Sequence, residues 1–536
     1  MTQTSPPNFI FLMADQLTAF ALKLYGNPIC RTPNIDRLAQ RSTQFKNMYC
    51  NFPLCAPSRV ALLTGRLPSD VGVYDNASEF SAQVPTFLHY LKLKGYSTTL
   101  SGKMHFVGPD QQHGFQERLT TDIYPSDFGW TPDWQQEVPI APTGMNMRSV
   151  IEAGTCRRSM QLDYDDDVVN RGVQKIYDLG RLQRDKPFFL GISLTHPHNP
   201  YVCMDEYMDL YRPAEIDMPH VGPIPFEQQD AHSQRLWYMF RQDEFTVTSE
   251  HVRTARHAYY AMVSYVDAQI GRVLDALEAM DLDSSTVIVL TSDHGDMLGE
   301  RGLWYKWVHY ESAVRIPLLV SLPGQQHARV ENSLVSLVDL FPTLTDLAGI
   351  MLPEAQLKEL DGRSLLPYLQ VHGQGDASEL DDVVVYGEMN GEGAHAPCLM
   401  VRTGRYKLIV SEGDPPLFYD LQKDPHEEHN LASSATHMVQ LDQLMQLAHA
   451  RWDMKDLRER ILASQRRRHL VQKALLTGDY RPWDYQPMQD ASKQYVRAGA
   501  LSSPSVVKGR LRYPVVEPTS ADRPRADTMT AVNVKE

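Results

Sequence analysis

The chain has 536 residues, of which 42% are hydrophobic, 22% charged and 9% aromatic, a composition that suits a folded globular protein and excludes a disordered one. Its formal net charge of -14 argues against a nucleic-acid partner, which needs a basic face. The length exceeds one ordinary core, so a large domain with an appendage is expected.

An anionic substrate remains compatible with this charge, because screening removes distant charges within about 10 Å and a few basic groups can dominate one cleft. The first residues, MTQTSPPNFIFLMADQ, carry no basic stretch, and their apolar run is too short for a secretory leader. No window approaches the roughly 20 apolar residues of a membrane helix. The six cysteines (Cys30, Cys50, Cys55, Cys156, Cys203 and Cys398) follow neither metal-ligand spacing nor a dense disulfide framework. A cytoplasmic protein is the expectation.

In chain order, Phe9–Ala14 (FIFLMA) reads as a buried strand that ends at Asp15 and Gln16. Asn34–Phe45 (NIDRLAQRSTQF) has apolar residues at helical spacing. CAPSRVALLTG follows at residues 55–65; Pro57 suits a first helical turn, and Arg59 lies one turn on from Cys55. Pro85–Leu93 is again helical in pattern, and Tyr96–Leu100 is a strand that runs into Ser101, Gly102, Lys103, Met104 and His105. Four aromatics (Tyr124, Phe128, Trp130, Trp134) crowd into YPSDFGWTPDW.

Phe188–Leu194 is a third strand, followed by His196 and His198. Val273–Met280 is helical, and Thr286–Leu290 is a fourth strand, followed by Asp293 and His294. Lys306 comes shortly after, in GLWYKWVHYE. Continuous apolar strands separated by helices predict a doubly wound, mostly parallel sheet. Ligands bind beyond the carboxyl ends of such strands, so the four polar clusters are expected to converge.

After about residue 375, VVVYGEM, CLMVRTGRYKLIVS and PLFYDLQ read as short strands of an antiparallel sheet. A helix is expected over Met438–Met454, and the basic run Arg458–His469 reads as a solvated helix face. The last 50 or so residues, rich in Pro, Ser, Ala and Arg, read as an extended tail.

CAPSR followed by Leu63-Thr64-Gly65 resembles the signature of the formylglycine-dependent (type I) sulfatases. Further stretches carry the resemblance through most of the chain, among them PNIDRLAQRSTQFKNMY, ESAVRIPLLV and LFYDLQKDPHEEHNLA. It implies an α/β, alkaline-phosphatase-like fold: a large mixed, mostly parallel sheet flanked by helices, a smaller C-terminal subdomain with an antiparallel sheet, and an extended tail. The expected divisions are a catalytic domain at 1–375, the subdomain at 376–485 and the tail at 486–536.

The resemblance also implies roles. Cys55 would be oxidised by a separate formylglycine-generating enzyme to an aldehyde whose hydrate attacks sulfur. One divalent metal (Ca, Mn or Mg) would be held by Asp15, Gln16, Asp293, His294 and the modified Cys55. Gln16 and His294 stand where many sulfatases have a second aspartate and an asparagine, and the imidazole favours manganese over calcium. Lys103 and Lys306 would bind sulfate, and Arg59 would support formylglycine and metal. His105 would deprotonate the diol and His198 protonate the leaving alkoxide, with exchange of these two roles left open. His196 and His309 are expected to be structural.

RRRHLVQKALLTGDYRPWDYQPMQDASKQYVR resembles the C-terminal extension of choline sulfatases in particular. That implies choline-O-sulfate as substrate, with Phe52, Asn76, Trp130 and Glu388 around the trimethylammonium group. A homo-oligomer, dimer or tetramer, is expected from the long tail. The competing readings are a phosphonate monoester or phosphodiester hydrolase, a broader arylsulfatase, and a non-catalytic binding protein.

Overall fold

A computed structural model describes residues 6–136, 138–182, 186–370 and 383–487. Its centre is an eight-stranded sheet made of β1 (Asn8–Ala14), β2 (Thr43–Tyr49), β3 (Ser97–Gly102), β4 (Glu117–Arg118), β5 (Phe188–Leu194), β6 (Thr286–Ser292), β7 (Arg315–Ser321) and β8 (Arg329–Ser336). Across the sheet the order is β8-β2-β7-β6-β1-β5-β3-β4. Neighbours β6, β1, β5 and β3 are parallel, with Leu12 opposite both Ile192 and Leu290. Their four carboxyl ends therefore share one edge of the sheet. β7 runs antiparallel to both of its neighbours, which makes the sheet mixed.

Strand periodicity explains the two cores. Ile10, Leu12 and Ala14 point into one hydrophobic cluster, and Phe9, Phe11 and Met13 into the other. Helix α1 (Cys55–Thr64) contributes Val60, Leu62 and Leu63 to the second cluster. The long helices α2 (Met160–Leu182) and α3 (Ser249–Ala279) contribute Val168, Val169 and Val266 to the first. Both faces are thus covered by helices, as continuous apolar strands require.

The C-terminal part is a four-stranded antiparallel sheet of β9 (Val385–Met389), β10 (Cys398–Arg402), β11 (Tyr406–Ser411) and β12 (Leu417–Asp420). Helices α4 (Met438–Arg451) and α5 (Met454–Leu475) bury Leu441, Leu444, Leu457 and Ile461 against it, in a third cluster. The boundary expected at 375 and the tail from 488 onward lie outside the described residues.

Several elements differ from the reading of the sequence. The helix expected over Asn34–Phe45 stops at Ala39, and Thr43–Phe45 belong to β2. Pairing of β2 with β7 and β8 overrides the helical spacing there, as β-branched and aromatic residues favour. Val273–Met280 is only the end of the 31-residue α3. The run Met438–Met454 breaks at Trp452 and Asp453, where Asp453 caps α5 by accepting from Asp456 N. The basic stretch lies within α5, with Arg468 turned inward and buried.

Gly102 ends β3 with φ +110°, and a Cβ there would lie 2.0 Å from Ser193 O. The close approach of β3 to β5 and the left-handed turn that brings Lys103 inward both need glycine. Gly102→Ala is expected to destabilise the chain by about 3 kcal/mol. Chemical denaturation checks this, and an unchanged midpoint would contradict the strain argument.

Candidate active site

The site begins where α1 does. Cys55 is its first residue, and Leu54 at the cap has no side chain able to accept a hydrogen bond. Asn76 takes that task, its Oδ1 accepting from Ala56 N at 2.9 Å. One turn on, Ser58 Oγ donates to the Asp293 carbonyl at 2.5 Å, which fixes α1 to the end of β6. Arg59, wholly buried, donates from Nε to Asp293 Oδ2 (2.9 Å) and from Nη1 to Ser193 Oγ (2.8 Å) and Lys103 O (2.5 Å). Its Nη2 faces Asp15 Oδ2 at 3.5 Å.

Asp15, Cys55, Asp293 and His294 converge, each offering a ligand atom within 4.8 Å of the others. His294 Nδ1 faces the Gly295 carbonyl at 3.0 Å, so Nδ1 carries the proton and Nε2 presents a lone pair. Nε2 lies 3.2 Å from Cys55 Sγ, 3.7 Å from Asp15 Oδ1 and 3.8 Å from Asp293 Oδ1. Burial lowers the imidazole to about 4, which keeps it neutral and able to ligate at neutral pH. Burial alone would raise the Asp15 carboxyl, but the cations beside it, Lys103 above all and then Arg59, outweigh it and hold Asp15 well below the usual carboxylate range. Two buried carboxylates and a neutral imidazole make a hard donor set that fits a divalent cation.

Gln16, with φ 65°, completes this edge. Its Oε1 accepts from Lys306 Nζ at 2.5 Å, while its Nε2 donates to Asp296 Oδ2 at 2.6 Å and to Asn199 Oδ1 at 3.3 Å. Lys306 Nζ also lies 3.7 Å from Cys55 Sγ and donates to His198 Nε2 at 2.6 Å. With Nδ1 donating to the Asn199 carbonyl at 2.7 Å and Nε2 accepting from Lys306, His198 is a neutral imidazole. Burial first, and then Lys306, push its pKa well below the ordinary value. Lys103 Nζ bonds to Asp15 Oδ2, and the ammonium sits 4.2 Å from the Tyr124 ring centroid. His105 is buried, and neither ring nitrogen has a hydrogen-bond partner.

A cavity of about 290 Å³ opens over Cys55, and its walls include Asn76, Tyr124, Trp130, His198, Lys306 and Trp307. Trp130 packs edge-on against Tyr124 (5.2 Å) and His105 (5.7 Å). Two expected substrate residues are elsewhere. Phe52 is fully buried in the main core and forms no wall of the cavity. Glu388 is fully enclosed, its carboxylate accepting from Ser69 N (3.0 Å), Ser69 Oγ (2.5 Å) and Trp452 Nε1 (2.8 Å). It joins the catalytic body to the C-terminal subdomain, because alternation along β9 turns it toward Ser69 and Trp452.

Three residues were missed. Trp307 forms a cavity wall, and Glu392 stands behind it, accepting from Trp307 Nε1 at 3.1 Å through Oε2. Glu392 Oε1 is buried without a hydrogen-bond partner, and burial pushes this carboxyl up to about 7. Asp296, which orients Gln16, was visible in TSDHGD but not singled out. His196 and His309 have structural partners, His196 in Asp165 at 2.7 Å and His309 in the Cys398 carbonyl at 3.1 Å.

A cysteine at a helix start, set over two carboxylates and an imidazole and flanked by Lys103 and Lys306, defines the site of a sulfatase-type hydrolase. Residues 7–350 match the Sulfatase family, and the chain belongs to that family of sulfuric-ester hydrolases. Residues 299–453 match the C-terminal family of N-sulphoglucosamine sulphohydrolase, and residues 459–500 match "Choline sulfatase enzyme C terminal". More particularly, the chain is a homologue of the choline-sulfatase of Rhizobium meliloti (strain 1021), 42% identical over 501 residues that span 92% of this chain and 96% of that one. The iduronate 2-sulfatase of Mus musculus is 27% identical over 525 residues, covering 81% and 92%. Among solved structures, the phosphonate monoester hydrolase of Agrobacterium radiobacter superposes with a TM-score of 0.63 at 24% identity, covering 85% of this chain and 96% of that one, a likeness of fold.

Asp15→Asn and Asp293→Asn each remove one carboxylate from the cluster while keeping its shape. Each is expected to weaken retention of a divalent cation by at least about tenfold, since even a supporting partner is worth that much. Elemental analysis of the purified variants checks this; full metal content in both would remove the cluster as the metal site.

Proposed function

We propose that this sulfatase hydrolyses choline-O-sulfate to choline and sulfate, with Cys55 converted to formylglycine by a separate maturation enzyme. The observation that carries the reading is the aromatic-walled cavity directly over Cys55, in a chain whose C-terminal segment resembles choline sulfatases. Tyr124, Trp130 and Trp307 line the cavity, and an aromatic face there would be worth about 0.5–2 kcal/mol to a trimethylammonium group. Glu392, which is no wall of the cavity, bonds the Trp307 indole from behind and so acts on that wall through the ring rather than by contact.

Asp15, Asp293, His294 and the modified Cys55, with Gln16 beside them, would hold the metal, and the imidazole favours manganese over calcium. A divalent cation there supplies positive charge that favours an ionised hydroxyl and an anionic ester. The hydrated aldehyde would supply two hydroxyls, one able to attack sulfur and one whose deprotonation would release sulfate. Here the Cys55 thiol stands in for that diol. Arg59 fixes Asp293 and the start of α1, so the nucleophile cannot drift from the carboxylates. Lys103 and Lys306 supply charge for the sulfate oxygens. Lys306 shares its proton with His198 Nε2, and this pair delivers the proton to the departing choline oxygen. His105, whose ring nitrogens have no other partner, takes the proton of the second hydroxyl.

The finer assignments follow the same reading. Six free cysteines, five of them buried, suit a reducing cytoplasm. Among the described residues no helix is long and apolar enough to cross a membrane. Leu470 and Leu476, about two-thirds exposed on and just past α5, support a homo-oligomer, dimer or tetramer. Of the subdomain at 376–485, the described residues 383–485 hold the antiparallel sheet and the two helices packed on it.

The aldehyde is checked by hydrazide trapping of the Cys55 peptide; an intact thiol in fully active enzyme would sink the mechanism. Selectivity gives a second test. Trp130→Ala is expected to raise KM for choline-O-sulfate by about thirtyfold and to leave 4-nitrophenyl sulfate within about twofold. Equal losses on both esters would remove the cation subsite and leave sulfuric-ester hydrolysis standing.

A pH dependence follows from Glu392. Its carboxyl, raised from an ordinary 4.5 to about 7, is neutral below that pH and charged above it. The choline-O-sulfate preference, taken as a ratio of kcat/KM to that for 4-nitrophenyl sulfate, is therefore expected to rise with pH through about 7. Glu392→Gln should flatten the ratio; a flat ratio in the unsubstituted enzyme would contradict the assignment.

A further inference from the structure

We infer that helix α5, which never touches the cavity, fastens the Trp130 loop and thereby sets specificity for the alcohol part of the ester. The inference rests on the reading of Trp130 as a wall of the cation subsite. The loop, residues 126–134, forms neither helix nor strand, so its backbone polar groups need partners from outside it. Helix α5 supplies them from Gln465, His469 and Gln472 and adds Arg468 to the Thr131 side chain; the i, i+3, i+4, i+7 spacing of these four places them on one face.

Contacts run along the whole loop. Gln472 Oε1 accepts from Phe128 N at 3.2 Å, and Gln465 Oε1 accepts from Trp134 N at 3.2 Å. Between these two, Arg468 Nη1 donates to Thr131 Oγ1 at 3.2 Å, and His469 Nε2 donates to the Pro132 carbonyl at 3.2 Å. Just past the helix, Asp484 Oδ1 accepts from Ser126 N at 3.0 Å. Trp130 sits at the middle of this fastened stretch, half-buried, with its ring on Tyr124 and His105.

Arg468 reaches a second wall as well. It grips Asp75 through two bonds of 2.7 Å, and the next residue, Asn76, both lines the cavity and caps α1. One buried guanidinium thus ties the Trp130 side of the cavity to the Asn76 side. The sulfate machinery at the strand ends makes no contact with this face of α5. Residues 459–500, which include this face, match the choline sulfatase C-terminal family and lie beyond the Sulfatase match at 7–350. The helix therefore acts through Trp130 as a positioning element, and its four residues are positioning residues.

The test uses full-length, matured enzyme with choline-O-sulfate and 4-nitrophenyl sulfate as paired substrates. Gln472→Ala and Gln465→Ala are each expected to raise KM for choline-O-sulfate about three- to tenfold, with kcat and both constants for the aryl ester unchanged. Hydrogen exchange at Phe128 or Trp134, respectively, should quicken while the melting temperature holds. Gln472→Glu keeps the accepting oxygen and should restore KM. Arg468→Ala leaves the buried Asp75 carboxylate without its partner and so perturbs folding as well, and the conclusion is drawn from the two glutamine variants. A choline-selective loss in Trp130→Ala that neither glutamine variant shares overturns the inference alone. Absence of a selective loss in Trp130→Ala itself overturns the choline reading, and this inference with it.

Discussion

Everything at the strand ends depends on one buried cation. Arg59 has no access to water, so its charge must be met entirely by the groups around it. Those groups come from four segments: Asp293 after β6, Asp15 after β1, Ser193 in β5 and the Lys103 carbonyl after β3. A guanidinium can do this because its planar fork presents five donors in fixed directions, which a lysine cannot match. Since Arg59 is one turn from Cys55, the same side chain that neutralises the carboxylates also sets where Cys55 stands. Removing one partner of such a pair leaves an uncompensated buried charge, at a cost of about 3–5 kcal/mol. Stability and catalytic geometry are therefore not separable at this position.

Local strain gathers at the same place. Gln16, His105, Tyr305 and Trp307 all have φ between 56° and 74°, a region that costs non-glycine residues about 1–3 kcal/mol each. Two of these bracket Lys306. The loop that carries it is held by Asp296, which accepts from Tyr305 N at 3.1 Å, and by His232, which bonds to the Trp307 carbonyl at 2.7 Å. Buried Trp304, Tyr305 and Trp307 fill the space beneath. Packing of this kind offsets the strain and leaves the Lys306 ammonium one direction to point, toward Gln16, His198 and Cys55.

What could be read from the sequence divides along physical lines. The strands that end in Asp15, Lys103, His198 and Asp293 announce themselves as apolar runs because both of their faces are buried. Their convergence follows from the rule that parallel strands present their carboxyl ends together. The start of α1 was legible through CAPSR. β2 was not, since its pairing with β7 and β8 is a tertiary event that local spacing does not encode. The polar mismatch of Glu388 has the same origin. Two glutamates four residues apart, Glu388 in β9 and Glu392 in the turn after it, look alike in sequence. Only the direction of the strand decides that the first braces Ser69 and Trp452 while the second backs Trp307.

This division also separates two kinds of recognition within one pocket. On the proposed reading the groups that would meet the sulfate, Lys306 apart, sit at the ends of parallel strands, held by a sheet whose positions are fixed over the whole domain. Trp130, which on that reading would meet the alcohol, sits on a loop with no secondary structure of its own, where a change of sequence leaves the sheet undisturbed. Such a loop can vary among relatives that share the chemistry, but it cannot hold an aromatic wall in place unaided. Ordering each residue costs about 1–2 kcal/mol of backbone entropy, which the loop's own few contacts do not offset. A helix contributed from the far end of the chain resolves the conflict. It supplies fixed acceptors to the loop's backbone amides without intruding on the strand ends, so specificity can be altered there while the hydrolytic machinery stays as it is.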